Sequence, residues 1–474
     1  MMNDLNLPAG IWGTSWDDVF NENKNVQGTV CIRDGHITLD IPFGALTNVD
    51  DGGILIGSGR LSAEMLYGFL SDGRYVVIHG AHEINRIVRS NGCACQKIDA
   101  TKMFIGSHKF STDEKVEKAE LSLTGLAEWI GVAPISCRFD KELKHSRYEI
   151  NLGESLNITL VDNDSISVHT TYSISFSRPS VRGFRAEGNY ALDIKLKAEH
   201  DISDTIKLAR RLTGFISFCR GSFSEIERLR LTLKDVEGRV EYFDTHLAGD
   251  SRRAGANDPF RPGSDIEVIQ NAAATWLSFD SSMVNATNKF IGLLYKGWNM
   301  PFELQFVAAT QVLDALTKDG VNLESIPAEK YKGYRNKILS YVKESNDTSL
   351  LNWTSGKLNG NQKGQKRLIH QLFQSYPLVS HWLIPNENEF IERQMNLRNS
   401  SAHPKEEMSI TDLEYWHTRA VVLLAMSVIA VKLGFREQDV IHRIEDTYYK
   451  YDEISKVKEL YSNAPKDVGT PKSQ

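Results

Sequence analysis

The chain has 474 residues, of which 41% are hydrophobic and 24% are charged, and its formal net charge is −6. This composition is typical of a folded protein of two or three domains, and it excludes collagen-like, mucin-like and wholly disordered chains. Because 55 Lys and Arg stand against 61 Asp and Glu, any nucleic-acid binding must use a local basic surface.

The five cysteines are few for this length and odd in number, which favours a reducing compartment over a secreted disulfide framework. The N-terminal residues have neither the basic nor the apolar region of a signal peptide. The most apolar stretch, residues 420–431, would be about 18 Å long as a helix, too short for a bilayer core. We therefore expect a cytoplasmic protein with no membrane segment.

Residues 1–250 have the pattern of a β-rich domain. Asp34-Gly35 favours a two-residue hairpin turn between strands at 29–33 and 36–41, because glycine tolerates the positive φ of that turn. A similar turn at 162–164 separates two further alternating runs. Additional strands are predicted at 75–79, 102–105, 119–123, 172–176, 192–196, 229–233 and 239–243. One helix is predicted around residues 206–215.

Composition changes at residues 246–264, which are rich in Gly, Pro, Asp and Arg, and we place a linker at 251–264. Beyond it the periodicity is helical. Helices are predicted at 265–279, 288–298, 301–317, 328–343, 366–373, 386–402, 409–433 and 437–449. Residues 355–365 are expected to form a flexible loop, and residues 456–474 a flexible tail. The fold class is therefore α+β multidomain, with a sandwich-like N-terminal domain and an all-α domain at 265–455.

The most informative segment is residues 388–404. Ile391, Met395, Arg398 and Ala402 follow a helical spacing, so Arg398 is predicted on an apolar helix face. A guanidinium there is costly unless it is paired or faces a cleft. Because Pro404 disfavours the α conformation of the preceding residue, the helix is expected to end near Ala402. His403 would then lie on a turn and fold back toward Arg398, whereas in an unbroken helix the two would be about 140° apart.

Two interpretations of this pair stay open. In the first, Arg398 pairs with an acidic residue and His403 stabilises the helix C-terminus, as a cation does. In the second, the two form a chemical site. The position of the pair favours the second interpretation, because it lies between an amphipathic helix and a long hydrophobic one, and Asn399 directly follows the arginine.

The segment Arg398-Asn-Ser-Ser-Ala-His403 resembles the signature of the HEPN superfamily of metal-independent ribonucleases, in which an arginine and a polar residue precede a histidine. Four upstream segments resemble the β-rich N-terminal domain of ApeA-type anti-phage proteins: residues 10–12, 28–39, 103–110 and 123–131. The resemblance covers most of the chain. It implies a HEPN bundle in the second half and a sensor or recognition domain in the first.

The resemblance implies an abortive-infection effector that cleaves host RNA, with tRNA the associated substrate class, after a phage-derived trigger acts on the N-terminal domain. Neutral imidazole of His403 would take the 2′-OH proton, and the guanidinium of Arg398 would hold the phosphate oxygens. Asn399 would orient the arginine or the phosphate. No metal and no cofactor are required. Since a general acid and a general base require two imidazoles, a homodimer or higher homo-oligomer would complete the site.

A basic segment supplies the predicted RNA-binding surface. Between residues 328 and 370 nine Lys and Arg stand against three acidic residues, with three tyrosines and Trp353 interleaved. From this group Lys363, Lys366 and Arg367 are assigned to substrate binding, and the aromatic side chains could stack on unpaired bases. A solvated helix face beside a mobile loop is the alternative interpretation.

Other residues are assigned no chemistry. Four possible zinc ligands are His79, His82, Cys93 and Cys95. Cys-x-Cys is not the usual chelating spacing, however, and we predict no metal site. On the helix after the motif, Trp416 is expected in the core and His417 at the surface. Arg393 is expected at the solvent side, paired with an acid. Two rival functions remain: a non-catalytic HEPN-like domain that binds RNA or protein, and a ligand-binding β domain with a helical dimerisation module.

Overall fold

A computed structural model represents the protein. It describes the following residues: 5–33, 35–46, 61–88, 94–131, 135–140, 145–150, 157–176, 186–234, 236, 238–244, 258–263, 265–296, 300–358, 361, 363–402 and 411–462. The chain divides into two compact units, Met1–Leu277 and Ser278–Gln474. The first is β-rich and the second is helical, which confirms the predicted fold class.

Up to Asp244, the described residues of the first unit form sixteen strands and three helices. Its strands are β1 Leu5–Asn6, β2 Gly10–Gly13, β3 Val26–Arg33, β4 His36–Phe43, β5 Ser62–Leu70, β6 Tyr75–Val88, β7 Ala94–Ala100, β8 Lys102–Gly106, β9 Lys115–Leu123, β10 Ile135–Asp140, β11 His145–Ile150, β12 Thr159–Asp162, β13 Ile166–Phe176, β14 Ala186–Asp201, β15 Ile226–Leu233 and β16 Arg239–Asp244. The helices α2 Leu126–Ile130 and α3 Ile202–Arg220 follow a first single turn, α1 Trp16–Val19.

Six strands of this unit close into a barrel. β5, β2, β3, β4 and β7 are neighbours in that order, and the fourteen-residue β6 pairs with β5 at one side and with β7 at the other. Alternate side chains of β3 and β4 point inward, so Val30 and Leu39 join the buried cluster around Trp12. Gly68 allows this packing, because a Cβ there would lie 2.6 Å from the Trp12 ring. The expectation of a sandwich is thus refined to a barrel.

An open sheet continues from the barrel through β8, β16, β15, β9, β14, β13 and β12. Helix α3 packs on this extension, and its N-cap residue is Asp201, whose carboxylate accepts a hydrogen bond from the Asp204 backbone N–H. The predicted hairpins are both present. Arg33 pairs with His36 across Gly35, which has φ +77°, and Val161 pairs with Val168 across the second turn.

The helix α4 Ile266–Ser278 lies almost wholly in the first unit, although its helical sequence pattern predicted it in the helical domain. Its Trp276 side chain donates to the Arg211 carbonyl at 2.9 Å, and the Trp276 ring meets Phe215 at 6.0 Å. Residues 258–263 of the predicted linker are also packed here, since Phe260 is buried and stacks on Phe218. Apolar packing on α3 therefore moves the end of this unit beyond the polar linker.

The second unit is built of helices in the part that the structure describes. They are α5 Ser281–Lys296, α6 Phe302–Lys318, α7 Ala328–Glu344, α8 Thr348–Lys357, α9 Gln365–Ser375, α10 Pro377–Leu383, α11 Glu387–Ala402, α12 Asp412–Lys432, α13 Glu437–Glu445 and α14 Tyr448–Ser462. Helix α12 forms the centre, because thirteen of its residues are buried and its N-terminus carries a capping box between Thr411 and Glu414.

Three helical segments of the second unit were not predicted. Helix α8 occupies the start of the expected loop at 355–365, and backbone hydrogen bonds join Asn361 to Ser325 and Lys363 to Leu323. Helix α10 begins at Pro377, a favourable first helical position. Helix α14 extends to Ser462, into the expected tail, where Val457 and Tyr461 are buried. No described helix has the length and apolar character needed to cross a membrane.

Candidate functional site

Helix α11 carries the predicted motif, and its packing decides where Arg398 lies. Asn386 immediately precedes the helix, and its side chain accepts a hydrogen bond from the Glu389 backbone N–H at 3.2 Å. Its buried residues are Phe390, Ile391, Gln394 and Leu397, and Leu397 packs against Phe306 of α6. Of the predicted apolar stripe, Ile391 is buried, Met395 is half-buried and Arg398 is exposed, so Arg398 lies at the edge of the buried face.

The guanidinium of Arg398 is held loosely between two neighbouring helices. Its side chain is 45% exposed, and Nη2 lies 3.8 Å from the Asp314 carboxylate of α6. Nη1 donates to the Gln365 side chain at 3.4 Å, and Gln365 in turn donates to Asp314. The acidic partner of the first interpretation is therefore present, but an exposed pair at this distance contributes only about 0–1 kcal/mol. The guanidinium is accessible to an anion.

The end of α11 agrees with the sequence, while the imidazole of the motif is not described. The helix ends at Ala402, as the proline at position 404 predicts. Asn399 is exposed, directly after Arg398. His403 lies outside the described residues, so its return toward Arg398 stays a prediction.

The residues assigned to substrate binding lie within two positions of Gln365, the partner of Arg398, in the chain. Gln365 is the first residue of α9, Lys366 and Arg367 follow it in the first turn, and Lys363 precedes it by two residues. Lys366 and Arg367 are exposed, and the Lys363 ammonium reaches the Gln371 side chain at 3.5 Å. Three cations therefore neighbour Gln365 in the chain. A fourth, Arg398, contacts Gln365 from 33 residues away.

Helices α7 and α8 form a basic surface with exposed aromatic side chains. No residue of α7 is buried, and the side chains of Tyr334, Tyr341 and Trp353 are each more than half exposed. Tyr331 is fixed instead, because its hydroxyl donates to the Leu358 carbonyl at 2.7 Å. Rings that face water beside Lys and Arg are the components of a stacking surface for unpaired bases.

His417 was predicted at the surface, and that prediction is wrong. Its side chain is fully buried, with Nδ1 2.5 Å from the Tyr461 hydroxyl and Nε2 2.8 Å from the Gln394 amide oxygen. Burial lowers the pKa of His417 to about 3, and the charge of Arg393 acts in the same direction. Trp416, predicted in the core, is half-buried, and Arg393 pairs with Glu389 at 2.5 Å as expected. Sequence alone missed Gln394, Asp314 and Gln365, which are distant from one another in the chain.

The histidines of the β-rich unit make separate contacts. His79 lies 3.8 Å from Glu64 and His82 lies 3.7 Å from Asp99, and Cys93 is outside the described residues. Within the described ranges, no three His, Cys, Asp or Glu side chains are grouped as metal ligands.

The β-rich unit also has a polar cleft of about 760 Å³ on β13, β14, β9 and β15. Its lining includes the small side chains of Ser122, Thr171 and Ala191. Two ion pairs cross it, Lys118 with Asp193 at 2.9 Å and Arg230 with Glu120 at 3.5 Å. The Arg228 side chain is exposed and makes no ion pair or side-chain hydrogen bond within the described parts of the chain.

Two family models match this chain. The model described as ApeA N-terminal domain 1 matches residues 10–276, and the model described as Apea-like HEPN matches residues 307–439. The second match includes Asp314, Gln365, Arg398 and His403. Searches of the curated proteins and of the solved structures found no match.

Proposed function

This chain belongs to the family of ApeA-like HEPN proteins, and we therefore propose that it is a metal-independent endoribonuclease of anti-phage defence. It would act in the cytoplasm as an abortive-infection effector, cleaving host RNA, in particular tRNA, once a phage-derived trigger engages the β-rich unit. The observation that carries this proposal is the exposed, weakly held guanidinium of Arg398 inside the HEPN match.

Arg398 would bind the scissile phosphate. A planar, permanently charged guanidinium offers two parallel N–H donors to phosphate oxygens and stabilises negative charge as it develops in the transition state. RNA would displace a contact of 3.8 Å to Asp314 and one of 3.4 Å to Gln365, both of which are weak. Asn399, next in the chain and exposed, would support the guanidinium or the phosphate by hydrogen bonding.

His403 would be the proton-transfer group. Neutral imidazole takes the proton of a ribose 2′-OH, and imidazolium gives one to the leaving 5′ oxygen. The products would be a 2′,3′-cyclic phosphate and a 5′-hydroxyl, and DNA would be inert because it lacks the 2′-OH. These steps need no metal and no cofactor.

A symmetric dimer would supply the second imidazole. Helix α6, which carries Asp314, exposes Leu304 and Val307 one turn apart on its outer face. Apolar side chains on the helix that contacts Arg398 are suited to packing against a second copy. The composite site would then contain Arg398 and His403 from each subunit.

Transfer RNA would be held by the basic segment. Lys363, Lys366 and Arg367 flank Gln365 and would contact the phosphates beside the scissile one. Earlier in the same segment, Tyr334, Tyr341 and Trp353 are exposed and would stack on unpaired loop bases.

The test is cleavage of total tRNA by the purified protein, with and without EDTA, beside His403→Ala. We expect fragments ending in a 2′,3′-cyclic phosphate from the wild type in both conditions and none from the variant. Identical fragments from wild type and variant, or loss of cleavage with EDTA, would contradict the mechanism. RNA binding without a cyclic-phosphate product would support the rival, a non-catalytic HEPN-like binding domain.

A second candidate function is ligand binding by the β-rich unit, and the polar cleft is the observation that favours it. Arg228 would bind an anionic group, and Glu120 and Asp193 would face a cationic one, so a small zwitterion fits this chemistry. Thermal-shift measurements on the full chain with free amino acids and dipeptides test it. A stabilised wild type with an unresponsive Arg228→Glu variant supports this function, and equal responses of the two proteins contradict it.

A further inference from the structure

Four polar side chains form a continuous hydrogen-bonded chain through the interior of the helical unit. Tyr461 Oη lies 2.5 Å from His417 Nδ1, and His417 Nε2 lies 2.8 Å from the Gln394 amide oxygen. The Gln394 amide nitrogen then donates to the Thr310 hydroxyl at 3.0 Å. Each residue belongs to a different helix: α14, α12, α11 and α6 respectively. We call this group the buried relay.

The donors and acceptors of the buried relay run in one direction. Because the Gln394 nitrogen donates to Thr310, the Gln394 oxygen accepts from His417 Nε2–H. Burial lowers the pKa of His417 and keeps the imidazole neutral, so the remaining ring nitrogen, Nδ1, accepts from the Tyr461 hydroxyl. The ring proton is then on Nε2, and each of the two nitrogens has a partner. His417 cannot touch RNA, since its side chain is fully buried.

The buried relay is joined to the Arg398 contact by helix geometry. Arg398 follows Gln394 by four residues on α11, and Asp314 follows Thr310 by four residues on α6. Residues four apart lie on the same helix face, about 6 Å along the axis. The two helices are thus linked at successive turns, inside by Gln394 and Thr310 at 3.0 Å and outside by Arg398 and Asp314 at 3.8 Å.

The inner link is the one that can fix the position of the outer. Apolar contacts such as that of Leu397 with Phe306 are non-directional and tolerate small shifts of one helix along another. A buried hydrogen bond requires a defined distance and angle, and breaking it leaves unpaired groups away from water. The outer link is exposed and weak, so it cannot set the register by itself.

We propose that the buried relay sets the register of α11 on α6, and that Gln394, His417 and Thr310 are positioning residues for Arg398. The inference rests on the proposed ribonuclease function. A misplacement of about 1 Å in a phosphate-binding group costs up to about a hundredfold in rate. Loss of the relay should therefore reduce kcat more than it raises KM.

The decisive experiment compares Thr310→Val with Thr310→Ser in tRNA cleavage. Valine keeps the shape of threonine but removes the hydroxyl that Gln394 contacts, whereas serine keeps it. We expect a kcat about tenfold lower for Thr310→Val, with KM changed less than threefold, and a rate near that of the wild type for Thr310→Ser. Ile391→Val, at a buried position of α11 outside the relay, is the control for lost stability and should keep its kcat.

An equal kcat for Thr310→Val and wild type would overturn the proposal, as would a kcat for Ile391→Val that falls in step with its melting temperature. A readout without cleavage separates this failure from that of the ribonuclease function. In NMR spectra, the His417 ring should be the neutral Nε2–H form at pH 5, and the Arg398 guanidinium resonance should move in Gln394→Leu. If the wild type cleaves no RNA, a moved resonance still supports the register, and an unmoved one overturns it.

Discussion

Two arginines of this chain face an aspartate at almost the same distance in opposite surroundings. Arg220 and Asp258 of the β-rich unit are 3.6 Å apart, with side chains 4% and 0% exposed. Arg398 and Asp314 of the helical unit are 3.8 Å apart, with side chains 45% and 22% exposed. A ligand cannot reach the first pair, but it can reach the second. Burial, and not the identity of the residues, separates a structural arginine from a candidate catalytic one.

The surroundings of Arg220 show how completely it is enclosed. One guanidinium nitrogen donates to the Thr124 carbonyl and to the Ser224 hydroxyl, both at 2.8 Å. Gly125 has φ +73°, and a Cβ there would lie within 2.1 Å of the guanidinium, so only glycine leaves room for it. The Arg220 guanidinium therefore holds the start of α2 against the end of α3.

The largest effect is expected from Arg220→Ala. Removing Arg220 breaks a buried ion pair, leaves Asp258 with the weaker attraction of Arg261, and should lower the free energy of unfolding by about 3–5 kcal/mol. Urea unfolding of the full chain measures this loss. Arg74→Ala, which breaks an exposed 2.7 Å pair with Asp72 in the same unit, is the control and should cost about 1 kcal/mol or less. Equal losses in the two variants would remove the contrast.

Arg398→Lys should lower activity and leave stability nearly unchanged. Lysine keeps the charge but lacks the planar pair of donors, so cleavage of tRNA should fall about 10²–10³-fold. The free energy of unfolding should change by about 0.5 kcal/mol or less, because the site is exposed. Single-turnover cleavage and urea unfolding of the same preparation measure both quantities. Arg393→Lys, paired with Glu389 earlier on α11, should cleave normally. A fully active Arg398→Lys would exclude bidentate phosphate binding.

Acid should weaken the helical unit through His417. Its pKa is lowered to about 3 in the folded protein by burial, aided by Arg393, against about 6.5 when unfolded. The unfolded state therefore binds the proton more tightly, and stability falls as the pH drops below 6.5. Between pH 7 and 5 we expect a loss of about 2 kcal/mol that His417→Gln lacks. Urea titrations at several pH values measure the difference, and parallel pH dependences of the two proteins would contradict it.

Asp258 should respond with the opposite sign. Burial raises its pKa to about 6, although Arg220 and Arg261 act to lower it. Here the folded state binds the proton more tightly than the unfolded state does, so stability rises as the pH falls through 6 toward 4. From pH 7 to 5 the gain should be about 1 kcal/mol, and Asp258→Asn should lack it. Hydrogen exchange resolved along the full chain separates the two units, and acid protection confined to the helices would refute this.

Local chemistry made parts of this molecule predictable. Gly35 and its neighbour specify a hairpin, Pro404 specifies the end of α11 at Ala402, and the Arg398 motif specifies a candidate site. Long-range pairing was not predictable. The closure of the barrel depends on both edges of β6, and the partners of Arg398 come from residues 314 and 365.

The burial of His417 illustrates the same limit. Helix α12 is buried on almost all sides, so no apolar periodicity identifies its inner face. The histidine is accommodated only because Tyr461 and Gln394, far away in the sequence, satisfy both ring nitrogens. Tyr461 lies in a stretch that was expected to be a flexible tail. A buried polar group is therefore visible only once its partners are placed.

The smallest effect is expected from Asp314→Asn, and it separates two roles for the carboxylate beside Arg398. If Asp314 merely occupies the guanidinium in the absence of RNA, removing its charge favours an incoming phosphate, and KM for tRNA should fall about two- to fivefold with kcat unchanged, a difference of 1 kcal/mol or less. If Asp314 instead orients Arg398 for catalysis, kcat should fall. Asparagine can still accept the Gln365 hydrogen bond, so the local structure is kept. Because the buried relay already fixes α11 from the inside, we expect the first outcome, and steady-state kinetics at two salt concentrations would decide it.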